Sequence, residues 1–178
     1  MHAGRAVARV HVRLVTFTNT IMPTLLSQLV FRPNDVPTKK SLLAFQRDAG
    51  WSVSAKSVEA ILLPSDSNPT VNKRIQWVSV ELDKVKIGIA RLELAQPEFC
   101  YISDLVIKSK YRGQGVGRWM LRHIEDICNA LAIKRVLLKP ESRNIAFYES
   151  LSFAADPFVP GMLRKDLNPF QRKMFLAR

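Results

Sequence analysis

The chain has 178 residues, a length that suits one compact domain with a continuous hydrophobic core. Apolar residues make up 47% of it, yet no run approaches the roughly 20 consecutive apolar residues that a membrane-spanning helix needs. Its 27 basic and 15 acidic residues give a net charge of +12, which favours an anionic ligand or partner. We therefore expect no membrane segment and no membrane partner.

Two cysteines, Cys100 and Cys128, lie in segments with strand and helix patterns. They are too few for a disulfide framework, and their separation does not match a zinc site. We expect both to be core thiols in a reducing compartment, which predicts a cytoplasmic location. The three histidines have no partnered serine, cysteine or carboxylate pattern, so neither a catalytic triad nor a metal site is predicted.

The first 26 residues form a basic extension in which Arg5, Arg9 and Arg13 have no nearby acid. Three interpretations stay open. The segment is a targeting peptide or basic arm, it contributes a first strand through the alternating run Val10–Phe17, or the true start is Met22. Residues 27–178 are predicted to form a single domain.

The domain is predicted to begin with a short strand, Ser27–Arg32, and then a helix over Thr38–Ala49. Gly50 ends that helix, because glycine adopts the left-handed conformation that commonly follows a helix. A second helical pattern covers Ser54–Leu63. The residues from Pro64 to Asn72 are rich in turn formers and predict a loop.

From Gln76 the period of the apolar residues changes from helical to alternating. Two runs, Gln76–Leu82 and Lys86–Leu94, are separated by two turn residues and predict a hairpin. A third strand, Cys100–Ile107, would complete an antiparallel meander.

Helical spacing returns after the meander, over Val116–Leu131, with one continuous apolar face. A short strand at Arg135–Lys139 and a helix at Arg143–Ser150 follow. The tail from Phe158 to Leu176 can supply one or two last strands. This order of helices and strands predicts an α+β (mixed α/β) fold.

The segment Tyr111–Gly117, Tyr-Arg-Gly-Gln-Gly-Val-Gly, lies between the third strand and the following helix. Its glycines permit a tight turn and remove side chains that would block a ligand. The first amides of a helix have no internal partner and lie at the positive end of the helix dipole, so they can bind a pyrophosphate. Four nearby cations would add charge-assisted contacts: Lys108, Lys110, Arg112 and Arg118.

Two other nucleotide-binding motifs do not fit this segment. A P-loop requires Lys-Ser or Lys-Thr after the last glycine, where Arg118 and Trp119 stand. A dinucleotide-binding turn follows the first strand of a parallel unit and precedes an acid by about 20 residues. Here the turn follows an antiparallel meander, and the helix runs on to Ile133 and Lys134.

Residues Cys100–Phe153 resemble the core of the GCN5-related N-acetyltransferase (GNAT) superfamily. The cofactor motif of that family is Gln or Arg, two residues, Gly, one residue, then Gly or Ala, and it is filled by Arg112, Gly115 and Gly117. The run Ile102–Ile107 resembles the family's central strand. Further down the chain, Asn144–Tyr148 and Leu151–Phe153 resemble its Asn and Phe-Tyr helix and the turn after it.

The resemblance implies a central, mostly antiparallel sheet that is splayed at its middle strand, with helices on both faces. It also implies acetyl-coenzyme A as acetyl donor. The pantetheine arm would be held by the backbone of Leu105, Val106 and Ile107. The pyrophosphate would be bound by the run Arg112, Gly113, Gln114, Gly115, Val116 and Gly117.

The same resemblance implies that Asn144 contacts the cofactor arm. The Tyr148 hydroxyl would protonate the departing thiolate as a general acid, unless its ring only packs in the core. In many relatives an acid on the central strand acts as general base through water, but the position before Asp104 is Ser103. The candidates for the base are therefore Asp104, Glu93 or Glu98.

We thus predict an acyltransferase that moves an acetyl group from acetyl-coenzyme A to a primary amine by direct attack in a ternary complex. Two alternatives stay open. One is a non-catalytic acetyl-coenzyme A-binding regulatory module, and the other is an acetyltransferase for amines of tRNA or the ribosome. The acceptor is expected to be a small molecule or a peptide rather than a nucleic acid. A homodimer is compatible with the sequence.

Overall fold

A computed structural model describes residues 25–52, 54–62 and 73–167 of the chain. Within these residues, seven strands form one sheet in the order β1-β2-β3-β4-β5-β7-β6. The strands are β1 (Val30–Pro33), β2 (Lys73–Leu82), β3 (Val85–Ala95), β4 (Phe99–Ile107), β5 (Arg135–Leu138), β6 (Ala154–Ala155) and β7 (Leu163–Asp166). The α-helices are α1 (Lys39–Asp48), α2 (Ala55–Leu62), α3 (Val116–Ala130) and α4 (Ile145–Glu149).

Every neighbouring pair of strands is antiparallel except β4 and β5, which are parallel. The predicted meander is present as β2, β3 and β4. Asp83 and Lys84 join β2 to β3 with φ angles of 50° and 62°, the left-handed pair that matches the twist of a two-residue hairpin. The predicted α+β class and mostly antiparallel sheet are confirmed.

Helices cover both faces of the sheet, as predicted. Alternate residues of β2 show this directly, because side chains of a strand point to opposite faces. Val78 and Val80 belong to a buried cluster with the apolar face of α3. Trp77 belongs to a second cluster, which contains Leu42 and Phe45 of α1.

The boundaries of α1 follow from local chemistry that the sequence displays. The Thr38 hydroxyl accepts a hydrogen bond from the Ser41 amide at 3.2 Å, which satisfies one of the free amides at the helix start. Leu42 and Phe45 are fully buried. Gly50 follows the helix with φ +78°, and the predicted end of the helix is therefore confirmed.

Several predicted elements have different boundaries in the structure; β2, for example, begins at Lys73 rather than at Gln76. Residues Leu25–Gln28 form a 3-10 turn, so the first strand begins at Val30 rather than at Ser27. The turn packs Leu25 and Leu26 against the core. The predicted helix Arg143–Ser150 is split, with a 3-10 turn over Ser142–Asn144 before the short α4.

Strand β4 separates from β5 halfway along its length. The two strands pair from Phe99↔Arg135 to Ile102↔Leu138, after which β5 ends and β4 continues to Ile107. On its other side β4 stays paired with β3, but two β4 residues, Asp104 and Leu105, lie opposite the single residue Ala90. This bulge gives Asp104 a φ of +49°. The predicted splay is thus present.

The possible strand at residues 10–17 and the predicted loop at residues 64–72 lie outside the described residues, as does the tail beyond residue 167. Within the described part of the chain, no helix is both long and apolar enough to cross a membrane.

A chain that starts at Met22 should fold and bind cofactor like the full chain, because it keeps the 3-10 turn and β1. The measurements are thermal unfolding and acetyl-coenzyme A binding by calorimetry. A chain that starts at Asn34 is the control. It loses the four pairs between β1 and β2 and the buried Leu29, so its melting temperature should fall. An unfolded product from the Met22 start would show that residues 1–21 belong to the core.

Candidate active site

The splay between β4 and β5 opens a cleft that consists of three adjoining cavities. Their volumes are about 480, 290 and 250 Å³, and we call them the first, second and third cavity. Leu105 of β4 and Asn144, which precedes α4, line all three. The cleft is therefore continuous from the start of α3 to the bulge of β4.

The first cavity lies at the start of α3, where the glycine-rich segment turns. Gly113 and Gly115 have φ angles of +71° and +83°, a conformation that other residues rarely adopt. Gly117 is close-packed, since a Cβ there would lie 3.4 Å from Cζ of Phe147. The glycines thus let the backbone approach the cavity, and α3 directs its free first amides into it.

Not every predicted residue of the glycine-rich segment turns its side chain toward the cleft. Val116 is buried in the core, and the Gln114 amide nitrogen donates to the Lys110 carbonyl at 2.8 Å. Val106 of β4 packs on the opposite face of the sheet with the α1 cluster. Val106 nevertheless lines the second cavity, together with Ala49 and Trp51. Any contact of the buried Val116 with a cofactor would be made by its backbone.

Arg112 ties the first cavity to the end of α1, a role that the sequence did not reveal. Its Nε donates to the Ile107 carbonyl at 2.7 Å, and its Nη2 donates to the Asp48 carboxylate at 2.7 Å. The same carboxylate accepts from the amide and hydroxyl of Ser109, at 2.7 and 2.8 Å. Asp48 therefore fixes the turn that connects β4 to the glycine-rich segment.

A second set of contacts closes the other side of the cleft. Trp51, in the loop after α1, donates from Nε1 to Glu141 at 2.6 Å. Arg143 pairs with the other oxygen of Glu141 at 2.6 Å and donates to the Ala49 carbonyl at 3.3 Å. The Trp51 and Arg143 hydrogen bonds hold the pKa of Glu141 below its usual value. Trp51 thereby becomes a wall of the second and third cavities.

Tyr148 lies between the first and third cavities and lines both. It is 8% exposed, and its ring packs edge-on against Phe147 and Phe153. Burial, with a smaller effect of the nearby Glu141 charge, raises the pKa of Tyr148 to about 12. The hydroxyl therefore keeps its proton throughout the physiological range.

Asp104 lines the third cavity at the bulge of β4. One carboxylate oxygen accepts a hydrogen bond at 3.3 Å from the amide of Gln46, a buried residue of α1. Burial raises the pKa of Asp104, and the Gln46 hydrogen bond and the Arg91 charge oppose this effect. The result is a carboxylate that is more basic than a solvated one.

The other two candidate bases differ in position. Glu93 lies on β3 opposite Tyr101 and forms an ion pair with Arg91 at 3.2 Å. Glu98 lies before the far end of β4, where it pairs with Lys134 at 2.8 Å. Of the three acids, Asp104 is the one that lines the cleft. Among residues 25–52, 54–62 and 73–167, no group of three or more potential ligands could hold a metal ion.

Comparison with known families gives a match over most of the chain's core. The model of the Acetyltransferase (GNAT) family matches residues 45–153. The curated glucosamine 6-phosphate N-acetyltransferase of Trypanosoma brucei brucei is 30% identical over 76 residues, which are 39% of this chain and 51% of that protein. The chain thus spans about half the length of this curated relative.

Solved structures share the fold at low sequence identity. Tetrahymena GCN5 has a TM-score of 0.63 at 13% identity, over 79% of this chain and 98% of that one. The PaiA N-acetyltransferase of Thermoplasma acidophilum, solved in complex with coenzyme A, has a TM-score of 0.56 at 17% identity, over 78% and 99%. At these identities the likeness supports the fold alone.

Replacing Gly115 with Asp should abolish stabilisation by acetyl-coenzyme A, because a carboxylate would face the pyrophosphate at the start of α3. At about 100 times Kd, the ligand should raise the melting temperature of the unaltered chain by roughly 5 to 10 °C. Gly161→Asp is the matched control, since Gly161 has a φ of +79° and lies in the loop between β6 and β7. If both variants respond to acetyl-coenzyme A equally, the segment is not the pyrophosphate site.

Proposed function

Because this chain belongs to the acetyltransferase (GNAT) family, we propose that it transfers an acetyl group from acetyl-coenzyme A to a primary amine by direct attack in a ternary complex. The observation that carries the proposal is the continuous cleft along β4. One end has the glycine-rich start of α3, and the other has the half-buried carboxylate of Asp104. The two ends suit an anionic cofactor and an amine, respectively.

The residues of the first cavity fit a pyrophosphate. Three glycines line it, and the helix that begins there has 15 residues, so its dipole and free amides favour an anion. Arg118 adds a cation to the lining. The Arg112 guanidinium already forms an ion pair with Asp48. We therefore propose that its main role is to fix the turn after β4, and that its positive charge contributes less to binding the pyrophosphate.

The free edge of β4 fits an extended arm such as pantetheine. Beyond Ile102 the backbone of β4 has no partner from β5, so its polar groups on that side can bind a ligand as an added strand would. Leu105 and Ile107 line the first two cavities along this edge. We propose that they hold the cofactor arm together with Asn144.

When bound, acetyl-coenzyme A supplies an acetyl group already activated as a thioester, so the chain must mainly align it and manage protons. In the transfer an N–C bond forms, the C–S bond breaks and the amine loses one proton. We propose that Asp104 accepts this proton, directly or through water. The raised pKa makes its carboxylate a better proton acceptor than a solvated one.

The departing sulfur must gain one proton, and we propose that Tyr148 donates it. A free thiol has a pKa of about 8.5, whereas the pKa of Tyr148 is about 12. The hydroxyl is thus the weaker acid, so it first donates a hydrogen bond to the sulfur as negative charge develops and transfers its proton late, as the C–S bond breaks. Water then restores any proton that it loses.

A transfer assay with detection of free thiol tests the proposal directly. Acetyl-coenzyme A would be supplied with a panel of sugar amines, amino acids, peptides and aminoacyl-tRNA. Thiol release that requires one class of amine is the expected result. Stabilisation by acetyl-coenzyme A without thiol release from any amine would favour a regulatory module instead.

Tyr148→Phe should lower kcat by roughly 10- to 100-fold, at or below the low end of the roughly 10²- to 10⁴-fold effect of general acid catalysis, because a thiolate is a fairly good leaving group. The ring contacts with Phe147 and Phe153 remain, so the free energy of unfolding and the KM for acetyl-coenzyme A should change little. Since the pKa of Tyr148 is about 12, the shape of the pH profile should not change below pH 10. Single-turnover kinetics measure the step. If the variant keeps its full kcat while acetyl transfer is rate-limiting, Tyr148 does not act as the acid and only packs in the core.

Asp104→Asn should lower kcat about 100-fold and remove the acidic limb of the profile. The pKa of Asp104 is raised in the folded chain, so its ionisation lowers stability as pH rises through that folded value. The melting temperature of the variant at pH 7 should therefore be equal or higher. Asp83→Asn, in the exposed hairpin turn, is the control. Unchanged kinetics with a lower melting temperature would mark Asp104 as structural.

A further inference from the structure

The third cavity differs from the other two in charge. At about 250 Å³ it lies, like the second cavity at about 290 Å³, below the roughly 300–1,000 Å³ typical of sites for drug-sized ligands, so it suits a small molecule. Its charged lining residues are Asp104, Lys139 and Glu141. Glu141 is neutralised by Arg143 at 2.6 Å, which leaves one negative charge, on Asp104, and one positive charge, on Lys139.

The fold places these two charges on either side of the point where β4 and β5 separate. Ile102 and Leu138 form the last pair between the strands. Asp104 lies two residues after Ile102, and Lys139 directly follows Leu138, the last residue of β5. Lys139 lines the same cavity as Asp104. Asp104 in turn contacts Gln46 of α1.

The two charged groups differ in their surroundings. Asp104 is half-buried, next to the buried Gln46. Lys139 is exposed, and none of the described residues forms an ion pair with it. A ligand in the cavity would therefore have access to one cation without an ion-pair partner and to one carboxylate.

The inner wall also has unused hydrogen-bonding capacity. Ser103, which lines the cavity, has a buried hydroxyl oxygen with no partner among the described residues. Behind this wall, Oε1 of Gln46 and Nε of Arg91 also have no partner among the described residues, although neither residue lines the cavity. Buried polar atoms without partners are costly, so a polar ligand group that reached Ser103 would be favoured.

We infer that the acceptor is a small amine that also carries an anionic group, a phosphate or a carboxylate, with its amine toward Asp104 and its anion toward Lys139. The inference rests on the proposed function and names the class of its second substrate. A polyamine is disfavoured, because its second cation would meet Lys139. Neutral amines would lack one of the two ionic contacts.

Matched pairs of acceptors test this inference in the full chain. Glucosamine 6-phosphate is compared with glucosamine, and glycine with glycinamide. Each KM is expressed for the unprotonated amine, because removing the anion also lowers the pKa of the amine. The anionic member should have a KM about three- to tenfold lower, a modest factor because Lys139 is exposed. The two pairs distinguish phosphate from carboxylate.

Lys139→Met keeps most of the alkyl chain and removes the charge. It should remove the preference for the anionic acceptor and leave the KM for acetyl-coenzyme A and for the neutral acceptor unchanged. Lys134→Met is the control, since Lys134 precedes the far end of β5 and pairs with Glu98. Where turnover is too slow, thermal shifts of the coenzyme A-bound protein with the same four amines give the same comparison.

Equal affinity within both pairs, or an anion preference that persists in Lys139→Met, overturns the inference and leaves acetyl transfer standing. Failure of the proposed function has a different signature, because acetyl-coenzyme A would then neither stabilise the chain nor lose its thioester. That result overturns both.

Discussion

The site depends on the short parallel pairing between β4 and β5. Four residue pairs hold the strands together, and β4 then continues for five residues with no β5 partner. A central strand normally has both edges satisfied, so this free edge is stable only where water or a ligand binds its polar groups. The parallel geometry itself requires a crossover, and α3 provides it, which brings the start of a long helix to the same opening.

Two polar ties hold the loop after α1 across this opening. Asp48, the last residue of α1, bonds to Ser109 and Arg112 in the turn after β4. Trp51, in the loop after α1, bonds to Glu141 on the β5 side. Leu42 and Phe45 already hold α1 on the sheet. The two ties therefore fix the loop after α1 relative to the cleft and do not determine where α1 packs. The cleft is thus bordered by three parts of the chain that are distant in sequence.

The sequence predicted the elements and the cofactor end of the site better than the acceptor end. The glycine-rich segment and the hairpin turn at Asp83 and Lys84 are local signals, in which a few neighbouring residues determine the conformation. The contacts of Glu141 with Trp51 and of Asp104 with Gln46 span 90 and 58 residues. Such pairs follow from the packing of α1 on the sheet, which no single-sequence pattern encodes.

Burial gives the two proposed proton-transfer groups opposite roles although it moves both pKa values in the same direction. Burial makes the Asp104 carboxylate a stronger proton acceptor. It raises the pKa of Tyr148 to about 12, so the hydroxyl stays protonated at physiological pH. Both line the third cavity, together with Leu105. An acid that keeps its proton and a carboxylate with raised affinity for one can therefore face the same small space without exchanging roles.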